Sequence, residues 1–298
     1  MDKALRVLTQ DGALVAVALD STELVARAEQ IHKTSAVVTA ALGRLLTAAS
    51  MMGTMLKGKD DSVTLRVRGN GPVGQLLAVT DSAGNVRGYA QHPIVELPLR
   101  ADGKLPVGSA VGSDGLLYVI RDTGEKEPYV GCTPLETGEI AEDITRYYAD
   151  SEQTPTVCAL GVLVNPDLSV RVAGGLLIQL LPFCPEETVA RLEENLRHLP
   201  SMTKMLEEGM TPRQICDRAL DGLPYDVLEE YEPAYRCDCS RDRVLRAFAA
   251  MTPEQLRELP DEQGRTEVTC QFCDKVYRFT KDEIEALAKE KEKKSEKS

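Results

Sequence analysis

Two close pairs of cysteines near the C-terminus limit most strongly what this chain can fold into. The first pair is a C-x-C at 237–239, the second is a C-x-x-C at 270–273, and 30 residues separate them. An intervening segment of that length can bring the pairs together, and four cysteine sulfurs are a tetrahedral ligand set that zinc prefers. The spacing therefore predicts one Zn²⁺ per chain, bound by Cys237, Cys239, Cys270 and Cys273.

The C-x-C spacing is shorter than that of most structural zinc sites, which place two to four residues between ligands. Cysteines one residue apart can close only a small disulfide ring, and strained disulfides are more easily reduced. A four-thiolate site open to an oxidant has two states, because oxidation removes the ligands and expels the metal. Since metal binding is coupled to folding in small domains, this segment would then lose its organising centre.

Four basic residues lie near the pairs in sequence: Arg236, Arg241, Lys275 and Arg278. They are candidates to stabilise the negative charge of four thiolates; the alternative is that they are ordinary solvated surface charges. The remaining cysteines, Cys132, Cys158, Cys184 and Cys216, are isolated in sequence. We interpret them as small, partly buried hydrophobic residues, which is the usual environment of a free cysteine.

Charge and composition exclude several classes of protein. The 298 residues carry a net charge of -12 and only 4% are aromatic, so a protein that coats nucleic acid is not expected. The N-terminus lacks the apolar stretch of a secretory signal. The most apolar segment, 34–56, is interrupted by Arg44 and by hydroxyl residues, which predicts a buried helix and no membrane span. We therefore expect a soluble cytoplasmic protein whose thiols are kept reduced.

The first 182 residues predict an α+β domain with a mixed arrangement of sheet and helices. Helical spacing covers 24–31 and 35–56, and short strands with a period of two are predicted at 13–19, 63–69, 75–81, 86–90, 116–122, 156–164 and 169–182. Turn pairs such as Asn70-Gly71 join most of these strands, which favours α+β over a doubly wound sheet.

The pattern changes after Pro182, and three further segments are predicted. Residues 183–235 contain 12 acidic and five basic residues, and form an acidic helical linker of three short helices at 186–199, 201–208 and 211–220. Thin apolar stripes interrupted by proline and glycine indicate that this linker is marginally stable. Residues 236–287 form the zinc domain, and residues 288–298 form a charged, solvated tail.

Other motifs do not predict catalysis. Residues 69–74 match G-x-G-x-x-G, but Pro72 lies inside the loop and a strand follows it, so a hairpin turn is expected. His32, His92 and His198 are scattered, and no nucleophile motif surrounds them. We find no catalytic constellation and expect that the protein is not an enzyme.

Three stretches of the sequence together resemble the heat-shock protein 33 family of bacterial redox-regulated chaperones. They are CDC…CQFCDKVYRF at 237–279, VNPDLSVRVAGGLLIQLLP at 164–182, and RGNGPVGQLLAVTDSAGNVRGYA at 68–90. The resemblance covers nearly the whole chain, and the pairing of C-x-C with C-x-x-C is its most specific part. The four cysteines outside these pairs do not belong to the family motif.

The resemblance implies a holdase chaperone that acts without ATP. Its reduced, zinc-bound form would be nearly inactive. Oxidation would form the Cys237–Cys239 and Cys270–Cys273 disulfides, release zinc, unfold the linker and give an active, dimer-prone protein that binds unfolded clients under oxidative stress. The residues support the same switch independently, because a marginal linker beside a metal-dependent domain can act as a bistable element. Its release would expose adaptable side chains such as Met202, Met205 and Met210, with permanent packing in the core as the alternative for each.

Two other functions remain open from the residues alone. The zinc could be purely structural in a domain that binds RNA or a ribosome, although the net negative charge of the chain disfavours this. The C-x-x-C could serve a thiol–disulfide oxidoreductase. That chemistry usually places the motif at a helix N-terminus, whereas this sequence predicts a tight turn before a strand.

Overall fold

The computed structural model describes residues 1–124 and 127–295, and it divides the chain into two compact units, 1–236 and 237–298. The described elements of the first unit are β1 (Lys3–Thr9), β2 (Leu14–Asp20), α1 (Thr22–His32), α2 (Ala36–Gly53), β3 (Ser62–Arg68), β4 (Gln75–Asp81), β5 (Val86–Ala90), α3 (Val107–Val111), β6 (Leu116–Asp122), β7 (Tyr129–Pro134), α4 (Ala141–Asp150), β8 (Thr156–Val164), β9 (Val170–Leu180), α5 (Glu186–Arg197), α6 (Met202–Glu207), α7 (Pro212–Ala219) and β10 (Tyr225–Tyr231). Those of the second unit are α8 (Arg241–Phe248), α9 (Pro253–Arg257), β11 (Arg265–Thr269), β12 (Val276–Thr280) and α10 (Lys281–Ser295).

Two antiparallel sheets build the first unit. Strands β10-β1-β2-β9-β8 form the first sheet, and β5-β4-β3-β6-β7 form the second. Most neighbours in space are also neighbours in sequence and are joined by short turns. The loop at 69–74 joins β3 to β4 as a hairpin, as predicted. The α+β fold class is therefore confirmed.

Helix α2 is the core of the first unit. It packs against β8 and β9 of the first sheet and against β3, β4 and β5 of the second. Within the described residues it is the one helix long and apolar enough to cross a membrane, with a mean hydropathy of 1.4, and 89% of it is buried inside the protein. Its apolar surface is thus already covered by the two sheets, as expected for a buried helix.

The acidic segment 183–235 covers the other face of the first sheet. Its three predicted helices are present as α5, α6 and α7, and their apolar side chains form a second hydrophobic cluster with β1, β2 and β9. Met202 and Met205 are fully buried in this cluster, whereas Met210 is half-buried. The segment therefore lies within the first compact unit in this structure.

Glycine permits a close approach between this segment and the first sheet. A Cβ built on Gly161 of β8 would lie 2.9 Å from Cγ2 of Thr203 and 3.0 Å from Cβ of Met202, both on α6. The first distance is shorter than real Cβ contacts and the second is at their lower limit, so a side chain at position 161 requires Thr203 and Met202 to shift away from β8.

The last part of the predicted helical linker is a strand. Strand β10 pairs antiparallel with β1 at the edge of the first sheet, where most of its side chains, three of them acidic, are exposed to solvent. Residues 234–236 then run beside β5: the Val86 amide donates to the Ala234 carbonyl (3.0 Å), and the Arg236 amide donates to the Val86 carbonyl (2.8 Å). The Tyr235 hydroxyl donates to the Gly88 carbonyl (2.8 Å) and lies 3.1 Å from Nε2 of His32.

The predicted charged tail, 288–298, begins inside a helix and is not solvated at its first residue. Helix α10 continues to Ser295, and Ala288 is fully buried in the core of the second unit. The Lys291 ammonium hydrogen-bonds the carbonyls of Ala249 and Met251. The positions of Ile284, Leu287 and Ala288 explain this packing, since residues three and four apart share one helix face. Residues 296–298 lie outside the described residues.

A buried carboxylate organises the loop between β7 and α4, and we expect its removal to be costly. Oδ1 of Asp143 accepts hydrogen bonds from the amides of Glu136 (2.7 Å), Thr137 (3.1 Å) and Gly138 (3.2 Å), and Oδ2 accepts one from Ile140 (2.9 Å). The Asp143→Ala variant should lose about 3 kcal/mol or more of unfolding free energy, because several donors would lose their acceptor.

Urea denaturation monitored by circular dichroism measures this loss. Asp150→Ala, at the exposed end of the same helix, is the control and should cost less than about 1 kcal/mol. Equal costs for the two variants would contradict the role given to Asp143.

A four-cysteine candidate metal centre

The C-x-x-C pair lies in the turn that joins β11 to β12. The two strands pair antiparallel, with Thr269 opposite Val276. The Cys270 amide donates to the Lys275 carbonyl (3.0 Å), and the Asp274 amide donates to the Cys270 carbonyl (2.9 Å). Asp274 adopts a positive φ of 56°, which aspartate tolerates better than most residues. The predicted tight turn leading into a strand is thus confirmed.

The C-x-C pair immediately precedes α8. Ser240 caps this helix, since its hydroxyl accepts a hydrogen bond from the Arg243 amide at 3.2 Å. Asp238, between the two cysteines, forms an ion pair with Arg243 at 2.6 Å. The cap and the ion pair fix the direction in which the chain leaves the cysteines.

The two pairs come together as the sequence predicted. All four sulfurs lie within 4.8 Å of one another, and the separations between Sγ atoms are 3.6 Å for Cys237–Cys270 and 3.4 Å for Cys239–Cys273. All four cysteines are free thiols rather than disulfides. Four thiolates placed about 2.3 Å from a tetrahedral metal ion are about 3.8 Å apart, so this cluster has the dimensions of such a site and could hold a metal ion.

The sulfurs differ in their electrostatic surroundings. Burial raises the pKa of Cys237, and burial raises the pKa of Cys273 to about 11. Burial also acts on Cys239, but hydrogen bonds from the Tyr277 hydroxyl and from the neighbouring cysteines outweigh it and lower the pKa of Cys239. The thiolate form is therefore favoured at Cys239 over Cys237 and Cys273, and thiolates are the form that binds metal.

A hydrogen-bond donor that the sequence did not reveal is Tyr277, whose hydroxyl lies 3.1 Å from Sγ of Cys239. Two of the four basic residues considered for this role have acidic partners instead. Arg241 forms an ion pair with Glu283, and Arg278 forms one with Glu267. Tyr277 lies 38 positions from Cys239 along the chain, so no local spacing could have connected them.

A small hydrophobic core supports the second unit beside the sulfurs. Its buried members are Phe248, Leu256, Tyr277, Phe279, Ile284 and Ala288. The rings of Phe248 and Phe279 meet edge to face with centroids 5.0 Å apart. So few buried side chains give limited stability, and small domains of this kind usually need a metal or disulfides as well.

The other cysteines lie in different parts of the first unit. Cys216 is buried, and burial raises its pKa to about 12. Cys158 and Cys184 are partly buried, as expected. Cys132 is exposed on β7, so the prediction of partial burial was wrong there; its side chain lies on the face of the second sheet opposite α2. None of these four belongs to the sulfur cluster.

The fold and the sulfur cluster together define an α+β protein with a four-cysteine centre in a separate C-terminal unit, and comparison with known proteins identifies its family. The model of the Hsp33 protein family matches residues 2–280. The chain therefore belongs to the Hsp33 family, as the sequence resemblance predicted, and this membership supports a chaperone function.

Relatives of similar length carry the name 33 kDa chaperonin. The protein of that name from Agathobacter rectalis is 46% identical over 96% of this chain and 99% of its own length. The one from Clostridioides difficile is 45% identical over 97% and 99%. The crystal structure of the 33 kDa chaperonin (heat shock protein 33 homolog) from Thermotoga maritima matches with a TM-score of 0.90 and 35% identity, over 98% of this chain and 99% of that one.

Proposed function

We propose that this protein is a redox-regulated holdase that binds unfolding proteins in the cytoplasm during oxidative stress, without ATP. The observation that carries the proposal is the cluster of four free thiols within 4.8 Å. In the reduced state, Cys237, Cys239, Cys270 and Cys273 hold one Zn²⁺, which supplies a fixed point around which the small second unit folds.

Oxidation changes the chemistry of the four sulfurs. One thiolate of a close pair attacks an oxygen of hydrogen peroxide, which gives a sulfenic acid and hydroxide; the second sulfur then displaces the sulfenic oxygen as water. Each pair thus loses two electrons, and two thiols plus one peroxide give one disulfide plus two waters. We propose Cys237 with Cys239 and Cys270 with Cys273 as the pairs. Disulfide sulfurs are poor metal ligands, so the zinc site is lost.

The client-binding surface in this proposal is the one that 183–235 covers in the structure. Met205 and Ile215 face Val7 and Ile178 of the first sheet in one apolar cluster. Release of the segment would expose both sides of that cluster, and methionine-rich apolar surfaces adapt to many partners. Self-association of the released form into a homodimer is part of the same proposal, because exposed apolar surface favours it.

The oxidoreductase alternative is less well supported. The C-x-x-C lies in a turn between two strands, whereas thiol–disulfide exchange centres usually place it at a helix N-terminus. No specific observation in the described residues favours an RNA-binding module over a chaperone.

A peroxide titration tests the proposed function. The reduced protein should contain about one zinc per chain. Peroxide at mildly elevated temperature should release this zinc, consume four thiols and switch on suppression of light scattering by a chemically denatured client enzyme. The oxidised protein should also sediment as a dimer.

The Cys132→Ser variant is the control, because Cys132 is exposed and lies outside the cluster. Its zinc release and activation should match those of the parent. Complete zinc release without any gain in client protection would reject the proposed function.

A further inference from the structure

Tyr277 connects the two halves of the sulfur cluster through a side chain. Its hydroxyl donates a hydrogen bond to Sγ of Cys239 at 3.1 Å. Tyr277 itself lies on β12, four residues after Cys273, and therefore belongs to the hairpin that carries the second cysteine pair. The bond thus ties the C-x-C pair to the hairpin of the C-x-x-C pair.

The tyrosine ring is held firmly enough to orient this bond. Only 7% of Tyr277 is exposed, and its ring belongs to the core cluster of the second unit. Its backbone pairs with Val268 across the hairpin, and Nζ of Lys275 lies 5.3 Å from the ring centroid. Because the ring is packed on its apolar sides, the hydroxyl has little freedom to leave the sulfur.

We propose that Tyr277 is a positioning residue that holds the Cys239 thiolate in the metal site and lowers its reactivity toward peroxide. The inference rests on the proposed four-cysteine metal site and goes beyond it by assigning a determinant outside the ligands. A hydrogen bond to a thiolate withdraws negative charge from sulfur. The site needs such donors, because four thiolates around one divalent cation leave a net charge of -2.

The other hydrogen bonds at the cluster show why a side-chain donor matters here. The backbone amides of Cys239 and Lys275 act against the burial that raises the pKa of Cys237 and of Cys273, respectively. Those two donors are backbone groups in the local turns of each pair, and only a proline, which would also disturb the turn, could remove one of them. The Tyr277 hydroxyl is different, because it comes from another element and can be deleted as a single oxygen.

The Tyr277→Phe variant removes that oxygen and keeps the packed ring. We expect its affinity for Zn²⁺, measured by competition with a chromogenic chelator, to fall about tenfold, which is the usual effect of losing an outer hydrogen-bond partner of a metal ligand. With Co²⁺ as a probe, the sulfur-to-cobalt charge-transfer band should move to lower energy, because the Cys239 sulfur becomes richer in electrons.

The reaction with peroxide should also change at a defined atom. Attack of the Cys239 thiolate on a peroxide oxygen forms sulfenic acid and releases hydroxide, and a more electron-rich sulfur attacks faster. In the metal-loaded variant, the Cys239 thiol should therefore disappear several times faster than in the parent, as measured by alkylation and mass spectrometry.

Thr266→Val is the matched control in the same hairpin. Thr266 is buried opposite Phe279, and its hydroxyl has no hydrogen-bond partner, so the substitution removes a buried oxygen that touches no sulfur. Zinc affinity, the cobalt band and the peroxide rate of this variant should equal those of the parent.

The outcomes separate this inference from the proposed function. If Tyr277→Phe binds Zn²⁺ and Co²⁺ with the parent's affinity and spectrum, the role of Tyr277 is overturned while the metal site stands. If Thr266→Val shifts the cobalt band equally, the effect belongs to the hairpin in general, and the inference is again overturned. If the parent binds neither metal, the proposed function itself fails.

Discussion

The Cys237→Ser variant is expected to lose its metal and the fold of the second unit together. A serine hydroxyl is not a thiolate ligand at neutral pH, so three sulfurs would remain of the four that lie within 4.8 Å. Structural zinc contributes about 10–16 kcal/mol to the folding of small zinc domains. The six-residue buried core of this unit, which includes Phe248 and Phe279, cannot replace that contribution.

Metal analysis and hydrogen exchange measure this result. Zinc should be absent from the purified variant, and amide protection should disappear across 241–291. Helix α2 and the second sheet should keep their protection, because the hydrophobic cluster around α2 shares no residue with the core of the second unit. Cys132→Ser, which removes an exposed thiol, should retain zinc and full protection. A Cys237→Ser protein that keeps stoichiometric zinc and a protected β11–β12 hairpin would refute the assignment.

The Gly161→Val variant is expected to suppress client aggregation without any oxidant. A side chain at this position would overlap Thr203 and Met202, so α6 must move away from β8. Overpacking of this kind costs about 1–3 kcal/mol. A cost of 2 kcal/mol would raise the population of the released segment about 30-fold relative to the parent.

Light scattering of a denatured client, with the protein kept reduced and loaded with zinc, measures the gain in activity. Hydrogen exchange should show loss of protection in α6 with protection retained in α2, and zinc content should be unchanged. Thr203→Ala alone should behave like the parent. The Gly161→Ala variant should also loosen α6. The double variant Gly161→Ala/Thr203→Ala should keep more of the contact between α6 and β8 than Gly161→Ala does, because Thr203→Ala removes the Cγ2 atom that lies nearest to the new Cβ. Unchanged protection of α6 in Gly161→Val would show that the close approach does not control docking.

The sequence predicted the hairpins and the buried helix because their periodicities are strong. Strands β3 and β4 alternate buried and partly buried side chains, and α2 is apolar on nearly every side. Strand β7 was missed because its exposed edge position places glycine, cysteine and proline where the pattern expects branched side chains. Strand β10 was missed because it is an acidic edge strand with almost no buried side chain, so only its pairing with β1 defines it.

The cysteine cluster could be predicted because each cysteine pair is recognised from residues that are close together in the sequence. Each pair is defined by its own spacing, and tetrahedral coordination by four sulfurs is a strong chemical preference. The hydrogen bond from Tyr277 to Cys239 depends on how the hairpin and the C-x-C segment meet in three dimensions. Helix α4 was missed for a related reason: it starts after Ile140, whose φ is 75° and whose amide donates to the carboxylate of Asp143 inside the helix.

The anchoring of 234–236 beside β5 has a mechanical consequence. Tyr235 and Arg236 are fixed by hydrogen bonds to Gly88 and Val86, and the next residue is Cys237. No residue lies between the anchored Arg236 and Cys237. Because consecutive Cα atoms are about 3.8 Å apart, the backbone of Cys237 stays within that distance of Arg236 for as long as the hydrogen bonds to β5 hold.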